Sequence, residues 1–368
     1  MNYFDKFDWE TMLNQHTDGT YDIPKYYRIL CPNNDFPDFI EKYMELPILT
    51  RLNGIGLLCG TDWTPLYKNR FFYTRYAHSL GVALIVWHFT HDKAQTIAGL
   101  LHDISTPVFS HVSDFRKGDA LTQTATEEST ARIIREDKAL GRLLAEDGLT
   151  ASQVEDYHIY PIADNEIPQL SADRLEYMFP SGMVLDGSWT IEDIALCYND
   201  LKVLKNEKGK DELGFQHVEI AELYCEHFCM ISHILQLNEN KLALHLLGQI
   251  MNMAIKEGLL TESDFMTLSE QEVIEKLDRY CEEKPKQSTG TDKLCRYYKT
   301  FRTMTKIEHT REALPENEYF CVNLQVKQRY INPLVGSKRL SDISEKARRI
   351  IEDFKSFSDT PYGCVKLF

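Results

Sequence analysis

The stretch RYAHSLGVALIVWHFTHDKAQTIAGLLHDIS contains the dipeptide His-Asp twice, at His91-Asp92 and at His102-Asp103. A histidine beside an aspartate can offer a metal one imidazole nitrogen and one carboxylate oxygen, and a divalent ion so held can activate water. The two copies differ in setting. His91-Asp92 falls where one apolar helix gives way to the next. A histidine at a helix C-terminus meets free carbonyls and an aspartate before a new helix is a good N-cap, so both residues are explained as helix punctuation. His102-Asp103 instead ends the apolar run TIAGLL, where a charged carboxylate is costly unless it is paired or bound to a metal.

His78, in TRYAHSL, opens another apolar helix 24 residues before His102, and two antiparallel helices would bring the imidazoles together. A further carboxylate is needed downstream, and LSADRLEYMF supplies Asp173 at the start of an amphipathic stretch. Asp164 is its rival, but it lies in a proline-flanked loop with no helix to position it. His78, His102, Asp103 and Asp173 form a mixed nitrogen and oxygen set that suits Mn²⁺, Fe²⁺, Zn²⁺ or Ni²⁺ better than Mg²⁺. On spacing alone, a buried ion-pair network of His78, Asp103 and Arg75 is the alternative.

These residues must be carried by a fold. The 368 residues are 43% hydrophobic and 26% charged, an ordinary globular composition with length for one large domain or two. A formal net charge of −15 argues against nucleic acid as a partner, although a small anion can still enter a locally basic pocket. Nine cysteines include no C-x-x-C, and the closest pair, Cys225 and Cys229, has helical i,i+4 spacing among apolar residues. Reduced, mostly buried thiols and a cytoplasmic setting are the expectation. The opening MNYFDKFDWETM has no basic n-region, and LGVALIVWHF is about half the ~20 residues of a membrane span, so no membrane association is expected.

Apolar residues recur at helical intervals in 37–58, 78–89, 94–104 and 129–148, and in a long tract over 216–258 broken near QLNEN. Ser269 and Glu272 have the spacing of a capping box. Alternation in EYFCVNLQVKQRYINPLV predicts a short sheet near the end, while LKNEKGKDELG (204–214) and EEKPKQSTGTDK (282–293) read as exposed loops. The expected organisation is a lead-in over 1–49, an all-α core over 50–258, and a C-terminal helical region with short strands over 259–368.

With these residues in hand, the chain resembles the HD-domain metal-dependent phosphohydrolases. RYAHSLGV, LLHDISTPVFSH and SADRLEY follow, in order and spacing, that superfamily's H…HD…D signature. The branch it is most similar to is that of the deoxynucleoside triphosphate triphosphohydrolases. The resemblance is strong over about 70–180 and loose beyond. It implies an all-α HD-domain fold, one or two metals on His78, His102, Asp103 and Asp173, and water-mediated cleavage of a phosphoester in a nucleotide or similar small molecule. A homo-oligomer is expected too. The resemblance further implies that Arg75 clamps a phosphate, its other reading being a surface ion pair. Arg174 and Tyr177 match positions that hold phosphate and sugar, and His111 and Asp114 match positions near the leaving group.

There are departures. Ser105 and Thr106 stand where the branch has glycine and histidine, Thr126 and Glu127 fall where it has a second histidine, and Ser181 replaces an aspartate associated with the D-R-L-D-Y segment. Threonine cannot shuttle protons near neutral pH. Two functions follow: a metal-dependent phosphohydrolase, or a metal-binding nucleotide sensor with eroded catalytic residues. Tyr157 and His158 could line a pocket mouth, whereas His227, His233 and His245 read as core or groove histidines. Metal content of the purified protein is expected to fall sharply in His102→Ala and Asp173→Ala and to persist in His91→Ala, as read by elemental analysis. Metal kept in Asp173→Ala but lost in Asp164→Ala would make Asp164 the fourth ligand.

Overall fold

The structure, a computed structural model, describes residues 22–121, 129–283 and 293–368. The centre of the molecule is a helix hairpin. Helix α1 (Ile23–Leu30) packs beside α2 (Arg75–Thr90), in which every residue from Arg75 to Val86 is buried. Thr74 caps α2 by accepting from the Ala77 amide, and His91 ends it in the left-handed conformation with φ 49°. Asp92 then caps α3 (Lys93–Leu101) by accepting from the Gln95 amide, an interaction of about 1 kcal/mol. His91-Asp92 is therefore punctuation, and it turns the chain so that α3 lies back along α2. A side chain at Gly99 would meet Val82 at 3.3 Å and Val86 at 3.4 Å, so glycine sets how closely the two helices approach.

Beyond α3 the chain forms α4 (Val112–Lys117), α5 (Thr130–Glu136) and α6 (Lys138–Glu146), then α7 (Ala172–Leu185), which crosses α2. Helices α8 (Ile191–Asp200), α9 (Val218–Gln236) and α10 (Asn238–Lys256) follow. The α9–α10 break falls at Leu237, within the segment where the sequence pattern is interrupted. Helix α11 (Glu270–Glu283) opens on the expected capping box: Ser269 Oγ accepts from the Glu272 amide at 3.2 Å, and Glu272 accepts from the Ser269 amide at 2.7 Å. Helices α12 (Lys293–Thr303) and α13 (Glu345–Ser356) complete the larger helices. Over 37–58 the pattern yields only short helical turns around Pro47, with Leu49, Leu52 and Ile55 buried.

Among the described residues the fold is mainly α with two small sheets. One, near the C-terminus as expected, has β3 (Glu308–Thr310), β7 (Tyr362–Lys366) and β4 (Tyr319–Val322) in that order, all antiparallel. The other corrects the reading of 204–214 as a loop and of 50–258 as purely helical. There β1 (Leu201–Lys205) and β2 (Asp211–Phe215) form a hairpin, extended by β5 (Leu334–Val335) and β6 (Lys338–Arg339). Its charge-rich composition hides the strands. The inward side of β2 is made by Leu213 and Phe215, and the acidic Glu212 is fully buried only because Arg339 pairs with it. Residues 284–292 of the second expected loop lie outside the described residues.

Two apolar cores meet just after His102-Asp103. Ile104 belongs to a core shared by α1–α3 and α7–α9, whereas Val108, Phe109, Val112 and Phe115 belong to one shared with α10, α11, α12 and the C-terminal strands. None of the helices among the described residues is long and apolar enough to cross a membrane. The expectation of reduced thiols is corrected in part. Cys281 pairs with Cys295 and Cys321 with Cys364, leaving Cys31, Cys59, Cys197, Cys225 and Cys229 free. The partners are 14 and 43 residues apart and meet only through tertiary structure: between the end of α11 and the start of α12, and as register partners on β4 and β7. Thiol titration of the denatured, unreduced protein is expected to find five reactive groups per chain rather than nine.

Candidate metal centre

His78 projects from the first turn of α2, His102 and Asp103 follow the last turn of α3, and Asp173 stands in the first turn of α7. Ser171 caps α7 by accepting from the Arg174 amide, which fixes that turn against the hairpin. The four side chains converge. His78 Nε2 lies 3.2 Å from His102 Nε2, 3.1 Å from Asp173 Oδ1 and 3.9 Å from Asp103 Oδ2. His102 Nε2 is 3.6 Å from Asp103 Oδ2 and 3.8 Å from Asp173 Oδ1. Asp164, the rival, is instead 3.3 Å from an Arg174 nitrogen and 3.7 Å from His158 Nε2.

The backs of both imidazoles are held. His102 Nδ1 donates to the Gly99 carbonyl at 2.7 Å, and His78 Nδ1 sits 2.5 Å from Glu176 Oε2. With protons on both Nδ1 atoms, two Nε2 lone pairs face one another across 3.2 Å beside two carboxylates. Such an arrangement is repulsive between the nitrogens unless a proton or a cation lies between them. The carboxylates favour such a positive charge: although burial opposes it, Glu176 and Asp173 push the His78 pKa up to about 10. Asp173 is held down to about 2, burial being outweighed by His78 and His102. Asp103 is held well below the ordinary carboxylate range, burial being outweighed first by Arg75 and then by His102 and His78.

Glu176 was not singled out in the sequence, although it lies three residues after Asp173 on the same helix side. It is fully buried, accepts from the hydroxyls of Tyr26 at 2.9 Å and Tyr73 at 2.6 Å, and holds His78 through its other oxygen. Gly81 makes room for it, since a side chain there would come within 2.5 Å of Glu176 Oε1.

Arg75 is buried rather than on the surface. Its Nη1 donates to Asp103 Oδ2 at 2.8 Å and its Nε to Ser110 Oγ at 3.0 Å. Thr106 donates to the other Asp103 oxygen at 2.9 Å. Ser110 follows Phe109, and both have left-handed backbones, with φ of 50° and 62°. This strained turn aims Ser110 back at Arg75 and delivers His111, whose Nδ1 is 2.9 Å from the fully buried Asp114. Burial first, and then the nearby arginines, lower the His111 pKa against the opposing pull of Asp114.

A cavity of about 550 Å³ opens from this cluster. Arg75, His78, His102, Asp103, His111 and Asp173 line it, together with Tyr157, His158, Arg174, Tyr177 and Ser181. Tyr177 is pushed up to about 12, chiefly by burial. Arg174 turns its donors to Asn165 and the Gln169 carbonyl, bracing the 164–170 loop. His227 and His233 pack on Trp189 and Phe357, and His245 stacks on Phe320. Thr126 and Glu127 lie outside the described residues.

No family profile matches the chain. It is 29% identical over 129 residues to the metal-dependent phosphohydrolase cns2 of Cordyceps militaris, which is 35% of this chain and 36% of that protein. It is 27% identical over 147 residues to the uncharacterized protein YdhJ of Bacillus subtilis, which is 38% of this chain and 41% of that one. The matches thus span about two fifths or less of those relatives. Two crystal structures share the fold over nearly the whole chain. A hypothetical protein from Aquifex aeolicus has a TM-score of 0.55 and 16% identity, covering 90% of this chain and 93% of its own. A phosphohydrolase from Bacteroides thetaiotaomicron has a TM-score of 0.55 and 14% identity, covering 91% and 96%.

If Glu176 orients His78, Glu176→Gln is expected to weaken Mn²⁺ binding about 10- to 100-fold in equilibrium dialysis. Gly81→Ala should act in the same direction by displacing the carboxylate. Unchanged affinity in both variants would mean that packing alone orients His78.

Proposed function

We propose that the protein is a metal-dependent phosphohydrolase of the HD-domain type, acting on a nucleotide or a related small phosphorylated metabolite. The observation that carries this reading is the pair of inward-facing Nε2 atoms flanked by Asp103 and Asp173 in the lining of a cavity. The residues fit a metal. Ligands about 2.1 Å from one ion lie roughly 3.0 to 3.4 Å apart in octahedral or tetrahedral arrangements, and the separations that involve the two imidazole nitrogens, 3.1 to 3.9 Å, need only a small contraction. Two imidazoles with two carboxylates favour Mn²⁺, Fe²⁺, Zn²⁺ or Ni²⁺ over Mg²⁺. The similarity to cns2 and the fold shared with a phosphohydrolase support the same chemistry.

A cation held there supplies activation of water and neutralisation of charge on a phosphoryl group. The chain's own residues do the rest. Glu176 and the Gly99 carbonyl engage the two Nδ1 atoms, so that both Nε2 atoms are aimed inward, where a cation would take their lone pairs in place of a proton. Arg75 braces Asp103 and presents a positive charge at the wall where a phosphoryl oxygen would sit. His111, oriented by Asp114, is the acid-base group on that wall and can carry a proton to or from the leaving oxygen at Nε2. Tyr177 and Arg174 would meet the remainder of the substrate.

One observation favours the second reading, a nucleotide sensor. Thr106 is fully buried and hydrogen-bonds Asp103, leaving His111 without a second histidine from that segment. The two readings separate in a screen of nucleoside mono-, di- and triphosphates with Mn²⁺, Fe²⁺, Ni²⁺ and Mg²⁺. Metal-dependent turnover is expected, with slow release of triphosphate from deoxynucleoside triphosphates. His111→Ala should lower the rate by about 10²–10⁴-fold with metal retained. Because the neutral form of His111 is favoured by burial, activity that needs a base there should persist below its ordinary value of 6.5 and fall only at lower pH. Nucleotide binding with no hydrolysis under any of these metals would decide for the sensor.

A further inference from the structure

Among the described residues one lysine is buried, Lys241, with 9% of its surface exposed. It stands in the first turn of α10, where its amide donates to the Leu237 carbonyl at 3.2 Å, so the side chain is what it presents beyond the helix. An ammonium carries three donors, and at such depth it is ordinarily paired. That of Lys241 makes neither a hydrogen bond nor an ion pair, yet its nitrogen is not sealed in the core. The residue lines a second cavity, of about 570 Å³, whose lining includes none of the four candidate metal ligands. Val326 and Lys327 line both cavities.

The other charged groups of this second lining are already engaged. Asp359 accepts from the Asn238 amide at 2.7 Å and the Thr360 amide at 2.6 Å, and its Oδ1 lies 3.2 Å from His309 Nδ1. Lys327 likewise has a partner within the protein. Burial disfavours the charged form of Lys241 against the opposing pull of Asp359, which places the ammonium on the side of the cavity where Asp359 stands. Gln325, exposed in the same lining, has a side-chain amide with no partner in the protein. A buried cation without an acceptor, beside a free amide donor, is a setting that an oxyanion completes.

We infer that Lys241 anchors an oxyanion site, taking the phosphate or carboxylate group of a small ligand in a cavity other than the one at the metal centre. This site does not depend on the reading of the metal centre as a phosphoester site.

Binding of simple probes tests it without turnover. The full chain, in a buffer free of phosphate and carboxylate, is titrated calorimetrically with inorganic phosphate and with malonate. To silence the metal centre, the same titrations are run on His102→Ala, or on Asp173→Asn should that variant not fold. Saturable binding of at least one probe is expected in every case. In that background Lys241→Met should weaken it about tenfold or more, as loss of one charge-assisted contact implies, while Lys241→Arg should keep most of it. Gln325→Glu puts a negative charge on an exposed part of the lining, with least risk to the fold, and should weaken binding too. The probe that binds more tightly in the Lys241-dependent manner tells whether the group is a phosphate or a carboxylate. No saturable binding of either probe once the metal centre is silenced would overturn the inference. So would binding undiminished in Lys241→Met, or in Gln325→Glu where Lys241→Met does not fold. A loss shared equally by Lys241→Met and Lys241→Arg would overturn it as well, since packing rather than charge would then be at work.

Discussion

His78 can turn a lone pair toward His102 only because Glu176 occupies its other ring nitrogen. That carboxylate has no contact with solvent, and its burial is tolerable because Tyr26, Tyr73 and His78 all hydrogen-bond to it. Three helices are thereby tied to one group: α1 through Tyr26, α2 through His78 and Gly81, and α7 through Glu176 itself. An uncompensated charge at this depth would be among the most destabilising defects available to the fold, so the demands of the centre and of the core coincide.

A second chain of contacts reaches the centre from the C-terminal half. Glu270, at the start of α11, accepts from the Gly56 amide at 2.9 Å and from Trp63 Nε1 at 2.6 Å. The Gly56 carbonyl accepts from Ser110 at 3.1 Å, Ser110 accepts from Arg75, and Arg75 donates to Asp103. Burial, with the nearby Asp62 next, pushes Glu270 up to about 8. Helix α11 is thus connected to a candidate ligand through backbone and side-chain hydrogen bonds alone.

The convergence of His78, His102, Asp103 and Asp173 could be anticipated because each sits at a helix end that interrupts an apolar run, and such interruptions are visible locally. The distinction between the two His-Asp copies was legible for the same reason: the caps around His91 and Asp92 follow from nearest neighbours. What sequence reading missed depends on distant partners. Glu176 looks like an ordinary helix glutamate until Tyr26, 150 residues earlier, is placed against it. Arg75 looks able to reach solvent until Ser110 closes over it, and the β1–β2 hairpin looks like a loop until Arg339 neutralises Glu212. The disulfides belong to the same class, being fixed by strand register and by the meeting of two helices rather than by spacing.

The last residue in the chain to line the cavity at the metal centre is Arg329, and its lateness has a consequence for synthesis. All four candidate ligands have been translated by Asp173, whereas Arg329 follows 156 residues later. At about 5–20 residues per second, that interval is roughly 8 to 30 seconds. During it, every donor of the centre has been synthesised while part of the cavity lining has not, so the complete cavity can close only late in synthesis.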